Sequence, residues 1–487
     1  WYGSAAVAYF VRGSWYVPGD FNPAVALPVW PFLEWVLFHF TGVGLPAARL
    51  LAVSIFAGNL ALVYALVRSK ARRWVAVLAM ALVASNAFLF CFSRLAILEP
   101  PVVFLLLLAW LLCLRGPSRT AWARVATLVA VGLLVCVMVL TKTTALFLLP
   151  SVFYLVWFGR RPRTRDAAAA CGVVALSAAL PWLAYYGMIV RPHYLEDFRY
   201  LFTVNVYAQP TSAVGWLMAF WYALHGAFWI DRSLVLLACA ILLLSTAWLR
   251  ELWRNPLFVA SFLAAAGYIF FIGYHNNMQP RYYQVVAFPL TILVALGFGA
   301  GFEAISGRRG IVRALTAALT SLALAYCVFV NTRETVWFAI HPQYTFLDAA
   351  RNLTRYIDDH PGRNRLLLSI SGSNISLATG LPSICDDFGT LDLPERIRRY
   401  QPGWYAAWND LDPGTLEDLH TQFNLEQVAS FPAYDDEDRN NLILYRLVPR
   451  PDETPHPEPR RRSRRTPLGA TAGEPAAIRR ISAKAQN

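Results

Sequence analysis

Ser93-Arg94-Leu95-Ala96-Ile97-Leu98-Glu99-Pro100-Pro101 lies between two strongly apolar segments, residues 74–92 and 99–114. An Arg and a Glu at a membrane border are costly to place, and such residues usually mark a functional site. Pro100-Pro101 suits the first turn of a helix, where a missing backbone N–H costs nothing. The stretch therefore reads as a short polar connection between two spans, with Glu99 opening the second. Two more basic residues occupy comparable places: Lys142 in Leu140-Thr141-Lys142-Thr143-Thr144, and Arg281 in Gln279-Pro280-Arg281-Tyr282-Tyr283.

Composition supports this reading. The chain has 487 residues, 57% hydrophobic and 15% charged, with a mean hydropathy of +0.42. Soluble domains carry roughly 25% charged residues, so the chain reads as a polytopic membrane protein. The formal net charge of +13 raises the question of nucleic acid. Its Arg residues sit instead in short loops and in the C-terminal tail, with no basic, aromatic-interleaved module, so no nucleic-acid partner is expected. The seven Cys form no CxxC pair and no Cys/His cluster, which argues against a disulfide framework and a zinc site. P-loop, dinucleotide, GxSxG and HExxH motifs are all absent from the sequence. That argues against a nucleotide donor in a Rossmann-type domain and favours a lipid-borne one entering from the bilayer.

Ten apolar segments follow an aromatic, Gly/Pro-punctuated start: 47–67, 74–92, 99–114, 125–141, 144–159, 167–187, 233–249, 257–274, 283–302 and 313–330. A straight crossing takes about 20 residues, so the third and fifth are short. Basic residues cluster after every odd-numbered segment, including Arg68, Lys70, Arg72 and Arg73 after the first and Arg160, Arg161, Arg163 and Arg165 after the fifth. The positive-inside rule then puts residues 1–45, the loop 188–231 and everything after Val330 outside. An outside start implies one further span upstream of Trp1, about eleven in all. The expected class is an all-α polytopic membrane domain of about 10 spans, with a small C-terminal α/β soluble domain. Residues 1–45 form a first outer loop with a surface-lying helix at 31–40. Residues 46–330 form the transmembrane domain and residues 331–449 the outer α/β domain. Residues 450–487 form a basic tail too poor in apolar residues to fold.

Arg94, Lys142 and Arg281 then sit at the face where cations are least expected. Cations at headgroup depth suit a phosphate or pyrophosphate, and Arg suits bidentate contact with it. Snorkelling to lipid headgroups is the simpler explanation for any one of them. Glu99 could orient a phosphate through Arg94, act as a base or bind a metal, or only neutralise Arg94. Tyr282 and His275 are candidate substrate contacts; Asp20, Glu34 and His275 also read well as structural residues. No metal-ligand set is readable, so a divalent metal stays open as a cofactor.

These residues resemble the GT-C superfamily of integral-membrane glycosyltransferases, in the branch of protein O-mannosyltransferases and lipid A aminoarabinose transferases. The resemblance rests on Gly42-Val43-Gly44-Leu45-Pro46-Ala47-Ala48-Arg49-Leu50, on Ser93-Arg94 with Glu99-Pro100, on Leu140-Thr141-Lys142, on Pro280-Arg281-Tyr282 with Phe288-Pro289, and on the late soluble domain. It implies transfer of a sugar, with inversion, from a polyprenyl-phosphate-linked donor to a lipid, glycan or protein acceptor hydroxyl. It also implies a bacterial inner (plasma) membrane protein with its soluble domain outside. Arg94, Lys142 and Arg281 would hold the donor phosphate, and Glu99 would position it or serve as a catalytic candidate. The family's main catalytic carboxylate lies early in the first outer loop, and nothing acidic precedes Asp20 here. That carboxylate is therefore expected upstream of Trp1. A lipid-linked saccharide flippase or a glycan polymerase/ligase would share the outer cations. The first should show paired Gly/Pro-broken repeats, and the second a large late outer loop.

Overall fold

The computed structural model describes residues 2–115, 120–159, 164–204, 209–276, 278–306, 310–409, 411–436 and 439–450. The expected tail, beyond Arg450, and the loop residues Arg119, Arg160, Arg161, Arg163, Arg308 and Arg309 lie outside the described residues.

Two helices form the first loop, α1 (Ser4–Arg12) and α2 (Val29–Thr41). The second contains residues 31–40, which are helical as expected. All ten apolar segments are helical. They are α3 (Leu45–Arg68), the pair α4 (Arg73–Ser85) and α5 (Ala87–Ser93), α6 (Glu99–Leu114), α7 (Ala121–Thr141), α8 (Leu149–Phe158), α9 (Thr164–Tyr185) continuing into α10 (Arg191–His193), and then, after α11 (Leu195–Val204) and α12 (Ala213–Gly226), α13 (Arg232–Ala247), α14 (Pro256–His275), α15 (Tyr283–Ser306) and α16 (Ile311–Ile340). Among the described residues, five helices are long and apolar enough to cross a membrane alone: Leu45–Arg68, Ala121–Thr141, Thr164–His193, Pro256–His275 and Pro280–Ile305. The chain is an integral membrane protein.

Residues 74–92, expected as one span, bend by 65° between α4 and α5. Asn86 makes the bend. Its side chain accepts the Leu89 N–H at 2.8 Å and donates to the Ile230 carbonyl at 3.2 Å. The described residues of 188–231, expected as the longest outer loop, are largely helical. Ser212 caps α12 by accepting the Gly215 N–H at 3.0 Å. The helical stretch Ala213–Trp229 then turns by 120° into α13, where Asp231 accepts the Ser233 N–H at 2.7 Å. Short polar side chains satisfy the free helix-end amides at both breaks, which an apolar surrounding requires.

The C-terminal domain follows α16 after a short connection, residues 341–344. Its helices are α17 (Thr345–Asp359), α18 (Gly372–Thr379), α19 (Leu393–Tyr400) and α20 (Pro413–His420). Its strands are β1 (Leu367–Leu368), β2 (Ser383–Ile384), β3 (Trp404–Trp408), β4 (Phe423–Asp436) and β5 (Arg439–Pro449), in the order β2-β1-β3-β5-β4. The first three are parallel, and β5 pairs antiparallel with β3 and β4. Alternation along the strands builds two cores. Leu368, Tyr405 and Leu447 face one, while Leu367, Trp404 and Leu444 face the other.

The first loop docks on this domain. Val17 enters its core. The Leu391 N–H donates to the Gly19 carbonyl at 3.1 Å. Gly19 has φ +81, and a Cβ there would meet Leu391 at 2.3 Å, so only Gly fits. The Asp20 side chain accepts the Cys385 N–H at 3.0 Å and faces Arg396 at 3.8 Å. Asp20, which read as turn chemistry, thus ties residues 365 positions apart. Burial pushes its carboxyl from 3.8 up to about 6, against the Cys385 N–H and Arg396. Burial and the neighbouring Asp387 push Asp386 up to about 7 in the same domain. A raised acid favours the protonated folded state. Its stabilisation is complete below the ordinary value and is lost as pH rises through the raised one. The thermal midpoint should therefore fall as pH rises from about 4 to about 7. In Asp20→Asn part of that fall disappears and the part due to Asp386 remains; an unchanged pH profile would show that Asp20 does not titrate in this window.

Candidate functional site

Glu99 begins α6, where a carboxylate is favoured by the helix dipole. The helix is pinned to α3 by the Asn59 side chain, which donates to the Pro100 carbonyl at 3.1 Å. Lys142 sits where α7 stops. Its φ of −158° and ψ of 118° are extended, and a tight turn over Thr143–Leu148 follows. That turn packs closely on α14: a Cβ on Gly267 would lie 2.2 Å from the Phe147 carbonyl oxygen. The Thr144 and Tyr268 hydroxyls meet at 3.1 Å. This break turns the Lys142 ammonium inward, where it forms an ion pair with Glu99. Both side chains are almost wholly buried.

Arg281 lies in the turn Pro280–Tyr282 that leads into α15. Two hydrogen bonds fix the start of α15. The Tyr283 hydroxyl donates to the Ala223 carbonyl at 2.8 Å, and the Gln284 side chain donates to Ser93 Oγ at 2.8 Å. The guanidinium lies 5.7 Å from the Tyr2 ring centre and 5.4 Å from that of Tyr282. The Lys142 ammonium lies 4.3 Å from the same Tyr282 ring. Glu99 acts electrostatically on Arg281, as Arg281 does on Lys142. His275 stacks on Phe271 at 5.3 Å and feels the charge of Lys142. Five of the six residues singled out from the sequence therefore gather at one place.

Arg94 takes other company. Its guanidinium lies over Phe90 and Phe338, at 5.1 and 4.7 Å, and its charge acts on Arg49. The Arg94–Glu99 neutralisation allowed by the sequence is not formed among the described residues, because Glu99 turns to Lys142.

Two cations face one carboxylate in the Glu99 cluster, leaving one net positive charge. Glu99 Oε2 and Arg281 Nε are buried without a hydrogen-bond partner. An anionic oxygen beside Arg281 would satisfy that guanidinium nitrogen and balance the charge. Among the described residues, no three His, Cys, Asp or Glu side chains are grouped as metal ligands.

Residues 22–185, about a third of the chain, match the family of dolichyl-phosphate-mannose-protein mannosyltransferases. That stretch contains Arg94, Glu99 and Lys142. ArnT from Cupriavidus metallidurans, solved bound to undecaprenyl phosphate, superposes with a TM-score of 0.60 at 13% identity, covering 91% of this chain and 92% of ArnT. The archaeal oligosaccharyltransferase AglB from Archaeoglobus fulgidus, solved with an inhibitory peptide and a dolichol-phosphate, superposes with a TM-score of 0.54 at 15% identity. That match covers 84% of this chain and 65% of AglB, so the chain spans just under two-thirds of the archaeal protein. The chain has the GT-C glycosyltransferase fold. No curated protein matches it by sequence.

The GT-C fold here also holds residues that sequence reasoning undervalued. Glu34 is fully buried in α2, beside Trp30. It packs so closely on Gly3 that a Cβ there would lie 1.9 Å from it. Burial pushes Glu34 from 4.5 up to about 8. An acid in the aromatic run 29–41 was the available signal. Tyr2 and Tyr268 carried none, being two among 22 Tyr.

Removing one member of a buried ion pair strands the other charge. Glu99→Leu should therefore destabilise the protein by about 3–5 kcal/mol. Adding Lys142→Met should restore most of the loss, as read by thermal unfolding in lipid nanodiscs. Equal stability of the single and double variants would mean that the pair is not formed.

Proposed function

We propose that this chain transfers a sugar from a polyprenyl-phosphate-linked donor to an acceptor hydroxyl at the outer membrane face, with inversion. The observation that carries the reading is the convergence of Lys142 and Arg281 on Glu99, with a guanidinium nitrogen left unmet. The match over residues 22–185 and the lipid phosphates bound to ArnT and AglB support a donor of this class.

In this reading the acceptor oxygen attacks the anomeric carbon while its proton passes to a carboxylate, the one expected early in the first outer loop. The bond from that carbon to the phosphate oxygen breaks, and its electron pair stays on the phosphate. Lys142 and Arg281 stabilise the negative charge that develops there. Glu99 is a positioning residue that holds Lys142 inward rather than letting it snorkel. Tyr282 forms the wall between the two cations, and His275 borders it. A cavity between α1 and the turn after β1, lined by Val11, Arg12, Asp20, Ser369 and Ser373, is offered as the acceptor side. Helix α1 links it to the charged cluster through Tyr2. The acceptor is a lipid, glycan or protein, and the membrane is the bacterial inner membrane, with the C-terminal domain outside.

Full-length protein in liposomes, supplied with a panel of polyprenyl-phosphate sugars, tests the proposal. Arg281→Ala should cut transfer by about 10²- to 10³-fold, the scale for losing one preorganised charge stabiliser. Its thermal midpoint should stay near that of the parent. Transfer at the parent rate would remove Arg281 from the phosphate site.

A further inference from the structure

The cavity between α1 and the C-terminal domain has two walls of distinct chemistry. Ser4, Ala8 and Arg12, spaced four residues apart on one face of α1, line it together with Trp15. Ser369, Ser373, Ser383 and Cys385 line the facing wall. Those four sit at or just past the ends of the neighbouring parallel strands β1 and β2. Open α/β sheets bind ligands outside the carboxyl ends of their parallel strands. Both walls are held in place. The Trp15 ring lies 6.3 Å from Tyr9 and 5.9 Å from Trp35. The Arg12 guanidinium lies over the Tyr400 ring at 5.1 Å and donates to the Ser383 carbonyl at 3.2 Å.

These walls separate the three acceptor classes. A lipid chain wants an apolar groove among the spans, whereas this cavity lies between the first loop and the soluble domain and is lined by five Ser residues. An extended peptide would pair with β2, the edge strand of the sheet. That edge is already closed. The Ser383 carbonyl accepts from Arg12 at 3.2 Å, and the Cys385 N–H donates to Asp20 at 3.0 Å. A saccharide fits. Its hydroxyls donate and accept, as Ser hydroxyls do, and its C–H face can pack on an indole such as Trp15. The Ser4 and Ser373 hydroxyls, one on each wall, have no hydrogen-bond partner among the described residues. We propose that this cavity binds a sugar residue of the acceptor, which makes the acceptor a glycan. Its role as acceptor rests on the sugar-transfer reading, whereas the saccharide site rests on the cavity alone.

Saturation-transfer NMR on the full chain in nanodiscs, with free tetrasaccharides of mannose, glucose, galactose and arabinose as probes, tests this. At least one should bind to the parent protein. Ser373→Phe, which fills the cavity, should abolish that binding, and Trp15→Ala should weaken it by about tenfold. Ser373→Ala, which removes only a hydroxyl, should weaken it severalfold and serves if the Phe variant does not fold. Arg281→Ala should leave binding at the parent level while cutting transfer. Binding of no tetrasaccharide, or parent-like binding in Ser373→Phe, would overturn the proposal. So would parent-rate transfer by Ser373→Phe to a Ser- and Thr-rich peptide, which would make the acceptor a polypeptide. Cavity-dependent binding without transfer from any polyprenyl-phosphate sugar would leave the saccharide site standing and remove the sugar-transfer reading instead.

Discussion

A buried charge pair sets the terms for one end of this helix bundle. Separating a Lys ammonium and a Glu carboxylate from water costs several kcal/mol each, and their attraction offsets this only if the geometry holds. The Glu99–Lys142 pair is held by three arrangements of ordinary kind. A helix starts at Glu99, so its dipole favours the carboxylate. Another helix stops at Lys142, so the side chain is released from the span and turns inward. The close contact of Gly267 with Phe147 fixes the turn after it. With the pair neutral, Arg281 supplies the cluster's surplus positive charge, beside two tyrosine rings.

The breaks in the spans follow the same logic. Lipid offers no hydrogen bonds, so a bent helix must satisfy its own freed amides. Asn86 does so at the α4–α5 bend, and Asp231 at the start of α13. Asp231 also accepts the Asn331 side-chain amide from α16, and Asn331 in turn accepts the Ala87 N–H at 3.3 Å. One polar chain thus joins α5, α13 and α16. It places Arg94 and the path into the C-terminal domain in a defined relation to the spans.

The first loop links the two parts of the protein. One end of it, Tyr2, lies on Arg281, while Val17, Gly19 and Asp20 are fastened to the C-terminal domain. A rearrangement of that domain would pull on the same segment that borders the cationic cluster. Soluble and membrane parts of this chain are thus in contact through about twenty residues of first loop.

Much of the architecture was legible in the chain because burying apolar surface leaves a periodic and compositional record. The ten apolar segments and the α/β character of residues 331–449 stood in the sequence. So did the interest of Arg94, Glu99, Lys142 and Arg281, because charges beside apolar runs are conspicuous. Their partners were not legible. Arg94 and Glu99 are five residues apart, yet one lies over Phe90 and Phe338 and the other turns to Lys142. The bends at Asn86 and Asp231 were invisible because Asn and Asp suit loops as well as helix caps. Glu34 and Asp20 looked like structural polar residues until burial and the long-range bond to Cys385 were seen. Sequence by itself determined which segments are apolar and helical, since hydropathy is a local sum. Tertiary structure alone decided which charges meet, since pairing depends on distances between residues far apart in the chain.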